Sequence, residues 1–327
     1  MFDFIHPAVF WVLIGVAALA LLLWVVSWFV ASYIVYKKTL GRGSKDRWSR
    51  EIPDGISDDS LEMYQTGFAW AAENAEKKHD VHIVRDGFNL YGEYYDLGYD
   101  RCAVILSGRT ESLIYGYYFA IPYAKNGCNI LVIDPRAHGL SDGEYNTVGF
   151  EESLDDIAWL NYISEKFGVK SFVIHGICIG AAGGILALTN ENCPKIVDGI
   201  VTEGMFPRFY ESVKNNMIEK KRPRFVTLDL IDVWMRHFTG HTMKVGPLDF
   251  IDKLDVPLLM LHSHEDLYSK PEFAKKLFEK AGTKDKKIVW FESGRHSFLR
   301  ITHTELYDKS IEEFLSKLPT GAKSAKK

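Results

Sequence analysis

The stretch His175-Gly176-Ile177-Cys178-Ile179-Gly180-Ala181-Ala182-Gly183-Gly184 closes a short apolar run, Ser171–Ile174, and opens a helical pattern from about Ala181 to Thr189. It is a G-x-C-x-G pattern at a strand-to-helix turn. A sharp turn of this kind needs small residues two before and two after its central residue, so that strand and helix can approach. The central side chain then stands above a sheet at the positive end of the next helix, where a thiol pKa falls and an anion is stabilised. A cysteine is also a common small buried hydrophobe, so its reading depends on the residues around it.

Outward from this turn, apolar runs alternate with helical patterns. Ala103–Leu106 and Asn129–Ile133 precede it, each followed by a helical stretch, near Leu113–Lys125 and Glu151–Phe167. Ile196–Val201, Pro257–Leu261 and Lys287–Phe291 come after it, and Thr302–Leu318 closes as a helix. The alternation predicts an α/β protein with a mostly parallel sheet covered on both faces. Ligands in such sheets lie beyond the carboxyl ends of the strands. Upstream, Val81–Arg85 and Asn89–Tyr95 flank Asp86-Gly87, a hairpin signal. Asp58–Lys78 has helical spacing, with Leu61, Tyr64, Phe68 and Ala72 near one face and Ser57 or Asp58 as its cap. Between Met205 and Asp255 there is no strand pattern. Phe206, Phe209, Tyr210, Phe225, Trp234 and Phe238 mix there with Arg208, Lys220, Lys221, Arg222 and Arg224. This interval, about 205–255, is expected to form a helical cap over the functional edge of the sheet.

Three residues with complementary chemistry follow strands in the order Cys178, Asp266, His296. That is the nucleophile–acid–histidine order of hydrolases built on such a sheet. Glu203, after Ile196–Val201, is the reserve acid. His175 lies inside a strand and reads as a core histidine, and the loop of Asp134 reads as structural. His262 and His264 share a strand face, the spacing of a metal pair, but no third ligand accompanies them. Neither a metal nor an organic cofactor is expected.

With these residues in view, the chain from about Val81 to Leu318 resembles the α/β-hydrolase superfamily, in its monoacylglycerol-lipase and lysophospholipase-like branch. Ser107-Gly108-Arg109-Thr110-Glu111-Ser112 is similar to the oxyanion loop in its G-R-x-E-S version. Asp134-Pro135-Arg136-Ala137-His138-Gly139-Leu140-Ser141 is similar to the D-x-R-G-H-G-x-S loop. Three positions depart from the pattern: Cys178 stands where Ser is usual, Ser107-Gly108 where His-Gly is usual, and Ala137 where Gly is usual. The resemblance implies an α/β-hydrolase fold and a Cys178–His296–Asp266 triad. In it, His296 takes the thiol proton, Asp266 fixes its tautomer, and the backbone N–H groups of Arg109 and Ile179 bind the oxyanion. The implied activity is hydrolysis of carboxylic esters or thioesters of a small acyl substrate, lipid-like or amphiphilic, through an acyl-cysteine. The contrasting expectation is a catalytically silent, membrane-tethered binding protein on the same fold.

The chain has 327 residues, 47% hydrophobic and 25% charged, with a net charge of −4. That is material for a sizeable core, and it excludes disordered, collagenous and disulfide-dense classes. No basic excess points to nucleic acid. The apolar residues concentrate at the N-terminus, where no charge occurs from Pro7 to Tyr36. This exceeds the ~20 residues a spanning helix needs. Trp11 near one end, and Trp24, Trp28, Phe29, Tyr33 and Tyr36 near the other, have the placing of interfacial belts. Met1–His6 carries Asp3 and no Lys or Arg, unlike a cleaved signal peptide. Lys37, Lys38, Arg42, Lys45, Arg47 and Arg50 follow the helix, so the body is expected on the cytoplasmic side of the cell membrane, with one pass through the bilayer. Cys102, Cys128, Cys178 and Cys193 lack metal-site spacing and are expected as free thiols. The expected organisation is a tail and transmembrane helix (1–36), a basic juxtamembrane segment with a connecting helix (37–80), the hydrolase domain (81–318) and a flexible basic tail (319–327). The oligomeric state is left open.

Overall fold

The structure, a computed structural model, describes residues 7–43, 50–52 and 54–319. Lys45, Arg47, Met1–His6 and all but the first residue of the basic tail lie outside the described residues. Eight strands form one sheet in the order β1-β2-β4-β3-β5-β6-β7-β8. They are β1 (Lys78–Arg85), β2 (Phe88–Tyr95), β3 (Arg101–Leu106), β4 (Asn129–Ile133), β5 (Ser171–Ile177), β6 (Val197–Glu203), β7 (Leu258–Ser263) and β8 (Lys286–Phe291). β1 and β2 pair antiparallel across Asp86-Gly87, whose φ angles of 51° and 80° suit a two-residue hairpin turn. β2 runs antiparallel to β4, and every pairing from β4 through β8 is parallel. This is an α/β-hydrolase fold.

The central strands are apolar at successive positions because both faces of the sheet are covered. Along β3, Cys102, Val104 and Leu106 enter one core, while Ala103 and Ile105 enter the other. After an N-terminal helix α1 (Pro7–Leu40) and a second helix α2 (Asp58–Glu73), the body holds α3 (Leu113–Lys125), α4 (Phe150–Phe167) and α5 (Ile179–Leu188). The interval 205–255 contains α6 (Phe209–Glu219), α7 (Thr227–Thr239) and two 3-10 turns, Pro247–Asp249 and Ile251–Lys253. α8 (Pro271–Lys280), α9 (Leu299–Thr302) and α10 (Thr304–Lys317) complete the chain.

Several expected boundaries move. α2 stops at Glu73, where the Asn74 side chain donates to the Trp70 carbonyl (2.9 Å), and a 3-10 turn leads into β1. β5 runs on past Ile174 to Ile177, and α5 begins at Ile179 rather than Ala181. The single closing helix is two, broken at His303, whose ring is held 3.0 Å from the Ser293 hydroxyl.

α1 is one unbroken helix of 34 residues, long and apolar enough to cross a membrane. From Pro7 to Ser27 it is exposed throughout; from Trp28 onward it meets the body, and Ser32, Tyr36 and Leu40 are buried. The aromatic cluster read as an interfacial belt is therefore divided. Tyr33 packs on Trp234 (5.2 Å between centroids), and Tyr36, Tyr145 and Phe238 form a three-ring cluster with centroids 4.9 to 5.7 Å apart. Trp234 Nε1 donates to Ser32 Oγ (3.0 Å). Beyond the helix, Asn146 N–H donates to the Leu40 carbonyl (2.7 Å), and the Arg42 guanidinium reaches the carbonyls of Ser141 and Gly139 (2.7 and 2.9 Å).

Candidate active site

Cys178 sits alone between β5 and α5 with φ 55° and ψ −109°, a conformation that costs an L-residue energy and persists only where its surroundings impose it. The surroundings are visible in the two flanking glycines. A Cβ on Gly176 would lie 2.4 Å from the Ala181 Cα, and one on Gly180 would lie 2.1 Å from the Leu106 carbonyl oxygen. Only glycine lets strand, turn and helix close this tightly. The Cys178 N–H donates to the Glu203 carbonyl (2.9 Å), tying the turn to the end of β6. Cys178 is part-exposed, whereas Cys102, Cys128 and Cys193 are buried, and all four are free.

His296 arrives from the loop after β8. Its Nδ1 lies 2.7 Å from Asp266 Oδ2, and Cys178 is close enough for its sulfur to act on the ring. The other Asp266 oxygen accepts the N–H groups of Tyr268 and Ser269 (2.9 and 2.8 Å), which fixes the carboxylate. Burial disfavours a charged imidazole, but the Cys178 sulfur and the Asp266 carboxylate outweigh it and hold His296 well above its ordinary pKa. Burial likewise opposes the Asp266 charge, and His296 overrides it, leaving that carboxyl below its usual range. Cys178, His296 and Asp266 are thus brought together.

Glu203 is placed differently. It is fully buried, with Oε2 accepting the Tyr307 hydroxyl (2.6 Å) and Oε1 the Leu299 N–H (3.2 Å). Burial pushes its carboxyl up to about 7. The Tyr307 hydroxyl is also 3.1 Å from His175 Nε2, and His175 Nδ1 is 2.7 Å from the Tyr123 hydroxyl. Burial drives His175 down to about 3, so it is a neutral core residue beneath the site.

The loop after β3 lies over the thiol: a Cβ on Gly108 would stand 3.8 Å from that of Cys178. Arg109 is clamped twice, its carbonyl 2.7 Å from His138 Nε2 and its guanidinium donating to the Thr39 carbonyl of α1 (2.8 Å). Ile179 is the first residue of α5, whose opening N–H groups have no partner within the helix. The Asp134 loop supports this arrangement from below. Asp134 accepts the N–H groups of Leu113 and Leu140 (2.8 and 2.9 Å) and pairs with Arg50 (2.9 Å). A Cβ on Gly139 would fall 2.2 Å from that carboxylate, while Ala137 stands at φ 64° without being glycine.

Gly204 went unread in the sequence, and so did the role of His138, a residue of the D-x-R-G-H-G-x-S-like loop. His138 links the Asp134 loop to Arg109, and Gly204 (φ 59°) leaves room for His296, since a Cβ there would come 2.9 Å from its Cε1. The one signal for Gly204 is its place directly after β6. The His262–His264 spacing serves packing: His262 Nε2 is 2.7 Å from the Ser269 carbonyl, and both rings lie against Trp290 (5.5 and 4.8 Å). Among the described residues no cluster of three or more His, Cys, Asp or Glu could hold a metal.

A cleft of about 650 Å³ opens in front of Cys178 and His296. Its walls include Met63 and Tyr64 of α2, Phe209, Val213 and Met217 of α6, Tyr115 of α3, and Val35, Lys38 and Thr39 of α1. The end of the N-terminal helix is thus part of the cleft, a role that its apolar composition did not announce.

A family profile described as serine aminopeptidase, S33, matches residues 234–301, the part that carries Asp266 and His296. The uncharacterized protein YqkD of Bacillus subtilis (strain 168) is 26% identical over 251 residues, covering 75% of this chain and 81% of its own length. Among solved structures, the Pyrococcus furiosus esterase Pf2001 superposes with a TM-score of 0.64 at 22% identity, over 76% of this chain and 95% of its own. An alpha-beta hydrolase from Vibrio vulnificus gives 0.61 at 18% identity, over 85% and 91%. At these identities the likeness to the solved structures is one of fold.

Proposed function

We propose that this chain is a membrane-anchored hydrolase of carboxylic esters or thioesters, acting on lipid-like or amphiphilic acyl compounds through an acyl-cysteine at Cys178. The observation that carries this reading is the convergence of Cys178, His296 and Asp266 at a cleft whose walls mix apolar and polar side chains, as an amphiphilic substrate requires. A Cys–His pair can work as thiolate and imidazolium, and the raised pKa of His296 accords with a charged ring. The thiolate attacks the acyl carbon, and the N–H groups of Ile179 and Arg109 receive the oxyanion. Collapse breaks the ester or thioester bond, and His296 gives its proton to the departing oxygen or sulfur. His296 then takes a proton from water, the hydroxide attacks the acyl-cysteine, and the acid leaves as Cys178 returns to thiolate. Asp266 holds the ring in the working tautomer throughout. The esterase among the structural neighbours accords with this chemistry.

The anchor rests on α1. Its exposed part, Pro7–Ser27, is 21 residues, or about 31 Å of helix, the thickness of a bilayer core. The burial of its last turns in the body supports a retained element rather than a leader that is removed. Lys37, Lys38 and Arg42 at the body end support a cytoplasmic body.

Turnover of p-nitrophenyl ester and acyl-thioester panels by the purified full-length chain tests the assignment. His296→Ala should lose nearly all activity. Asp266→Asn should lose less than the ~10⁴-fold seen when a serine triad loses its acid, because the thiolate depends less on it. Glu203→Gln should stay close to the parent. Undiminished turnover in His296→Ala, or a crippled Glu203→Gln beside a normal Asp266→Asn, overturns the assignment.

A further inference from the structure

The cap helix α7 runs alongside α1 in the same sense: Trp234 meets Phe29, Ser32 and Tyr33, and Phe238 meets Tyr33 and Tyr36. The amino end of α7 therefore points back along α1, toward its exposed apolar length. Thr227 lies seven residues before Trp234, about 10 Å of helix, which carries it beyond the level where α1 leaves the body. The loop leading to that end, residues 220–226, carries Lys220, Lys221, Arg222 and Arg224, all exposed, and none of the four is in an ion pair with a described residue. Beside them Phe225 is 84% exposed and Val226 38%. An aromatic side chain left in the open among four cations is the composition of a segment that lies in the interface of an anionic membrane. Lys220 and Arg222 also line the cleft that holds Cys178.

We propose that loop 220–226 is a second membrane contact, in which Phe225 enters the interface of an anionic bilayer and the four cations take lipid phosphates, so that the mouth of the Cys178 cleft rests on the lipid surface. This rests on the reading of α1 as a membrane span. An acyl chain then passes from the bilayer into the cleft between α1 and the cap loop without crossing open water.

The test uses the full-length chain in nanodiscs of phosphatidylcholine, with or without phosphatidylglycerol. A benzophenone amino acid is placed singly at Phe225, at Leu19 within the exposed length of α1, or at Lys195, an exposed position before β6 at the opposite end of the sheet. After irradiation, adducts are identified by mass. Position 225 should form lipid adducts several-fold above position 195, increased by phosphatidylglycerol and reduced by 0.5 M salt. Charge reversal (Lys220→Glu, Lys221→Glu, Arg222→Glu and Arg224→Glu together) should lower adducts at 225 and leave those at 19 unchanged. Adducts at 225 no higher than at 195, equal on neutral and anionic bilayers, or formed with a second copy of the chain would overturn the proposal while leaving the anchor. Failure of position 19 to label lipid would overturn both.

Discussion

A thiol at the tip of the β5–α5 turn differs from its three neighbours in chemistry as well as in place. Burial pushes the Cys102 thiol up, the Cys128 thiol to about 12 and the Cys193 thiol to about 11, whereas Cys178 is part-exposed beside the His296 imidazole, whose pKa is raised. Iodoacetamide near neutral pH should therefore label Cys178 at least about tenfold faster than the others and abolish turnover. Undiminished esterase activity after complete alkylation of Cys178 would refute its role. Glu203 yields a prediction of stability instead. Its folded pKa of about 7 lies above the ordinary value for an unfolded chain, so the native state holds the proton more tightly. The stability this contributes is complete below about pH 4.5 and declines as pH rises to 7, by about 3 kcal/mol. Glu203→Gln should flatten that decline in urea midpoints measured from pH 4.5 to 8. The amide donates to Tyr307, whose hydroxyl turns to His175 Nε2, so the network stays paired. An unchanged pH dependence would show that Glu203 is already ionised. At this scale the sequence displayed Cys178, Asp266 and His296 because each directly follows a strand. Gly204 and the role of His138 stayed hidden because their partners, His296 and Arg109, are remote in the chain.

The turn glycines belong to the next scale, where strand and helix meet. Gly180→Ala sets a methyl group against the Leu106 backbone, which cannot give way without opening β3 from α5. A loss above about 3 kcal/mol is expected, at the upper end for overpacking, while Gly15→Ala, with nothing within 4 Å, should be neutral. Urea unfolding compares the two; a cost below about 1 kcal/mol for Gly180→Ala would mean that the turn is not tightly closed. The strands were legible as continuous apolar runs because both faces of the sheet are covered. The true end of β5 was not, since Gly176 and Ile177 belong to the G-x-C-x-G pattern and read as turn, although they continue the strand. His175 stays in the strand because the Tyr123 and Tyr307 hydroxyls satisfy its ring. No local pattern announces those partners, just as none announces the break at His303.

At the scale of the whole molecule, composition disclosed the apolar helix and hid its docking. The aromatic residues that mark a membrane boundary are the same types that pack a protein core, and Tyr36 is wholly buried. A chain beginning at Trp28 keeps the docked turns and should retain esterase activity. One beginning at Arg50 loses Val35, Lys38 and Thr39 from the cleft, together with the carbonyl that holds Arg109. Its kcat/KM should fall at least about tenfold relative to the longer chain; equal values would show that the helix end is no part of the site. On the proposed topology, alkaline phosphatase fused after Lys327 should be inactive, and an active fusion would reverse the orientation. The unbroken passage of α1 from open apolar helix to buried wall has a mechanical meaning. A body joined by a flexible strand tumbles and shows every side to the membrane in turn. One clamped to a stiff rod through Trp234, Tyr145 and Arg42 has its tilt and roll fixed, and keeps only rotation about the rod and drift in the plane. On the proposed anchoring, the same face meets the surface at all times, and the search for a lipid-borne substrate becomes a collision in two dimensions.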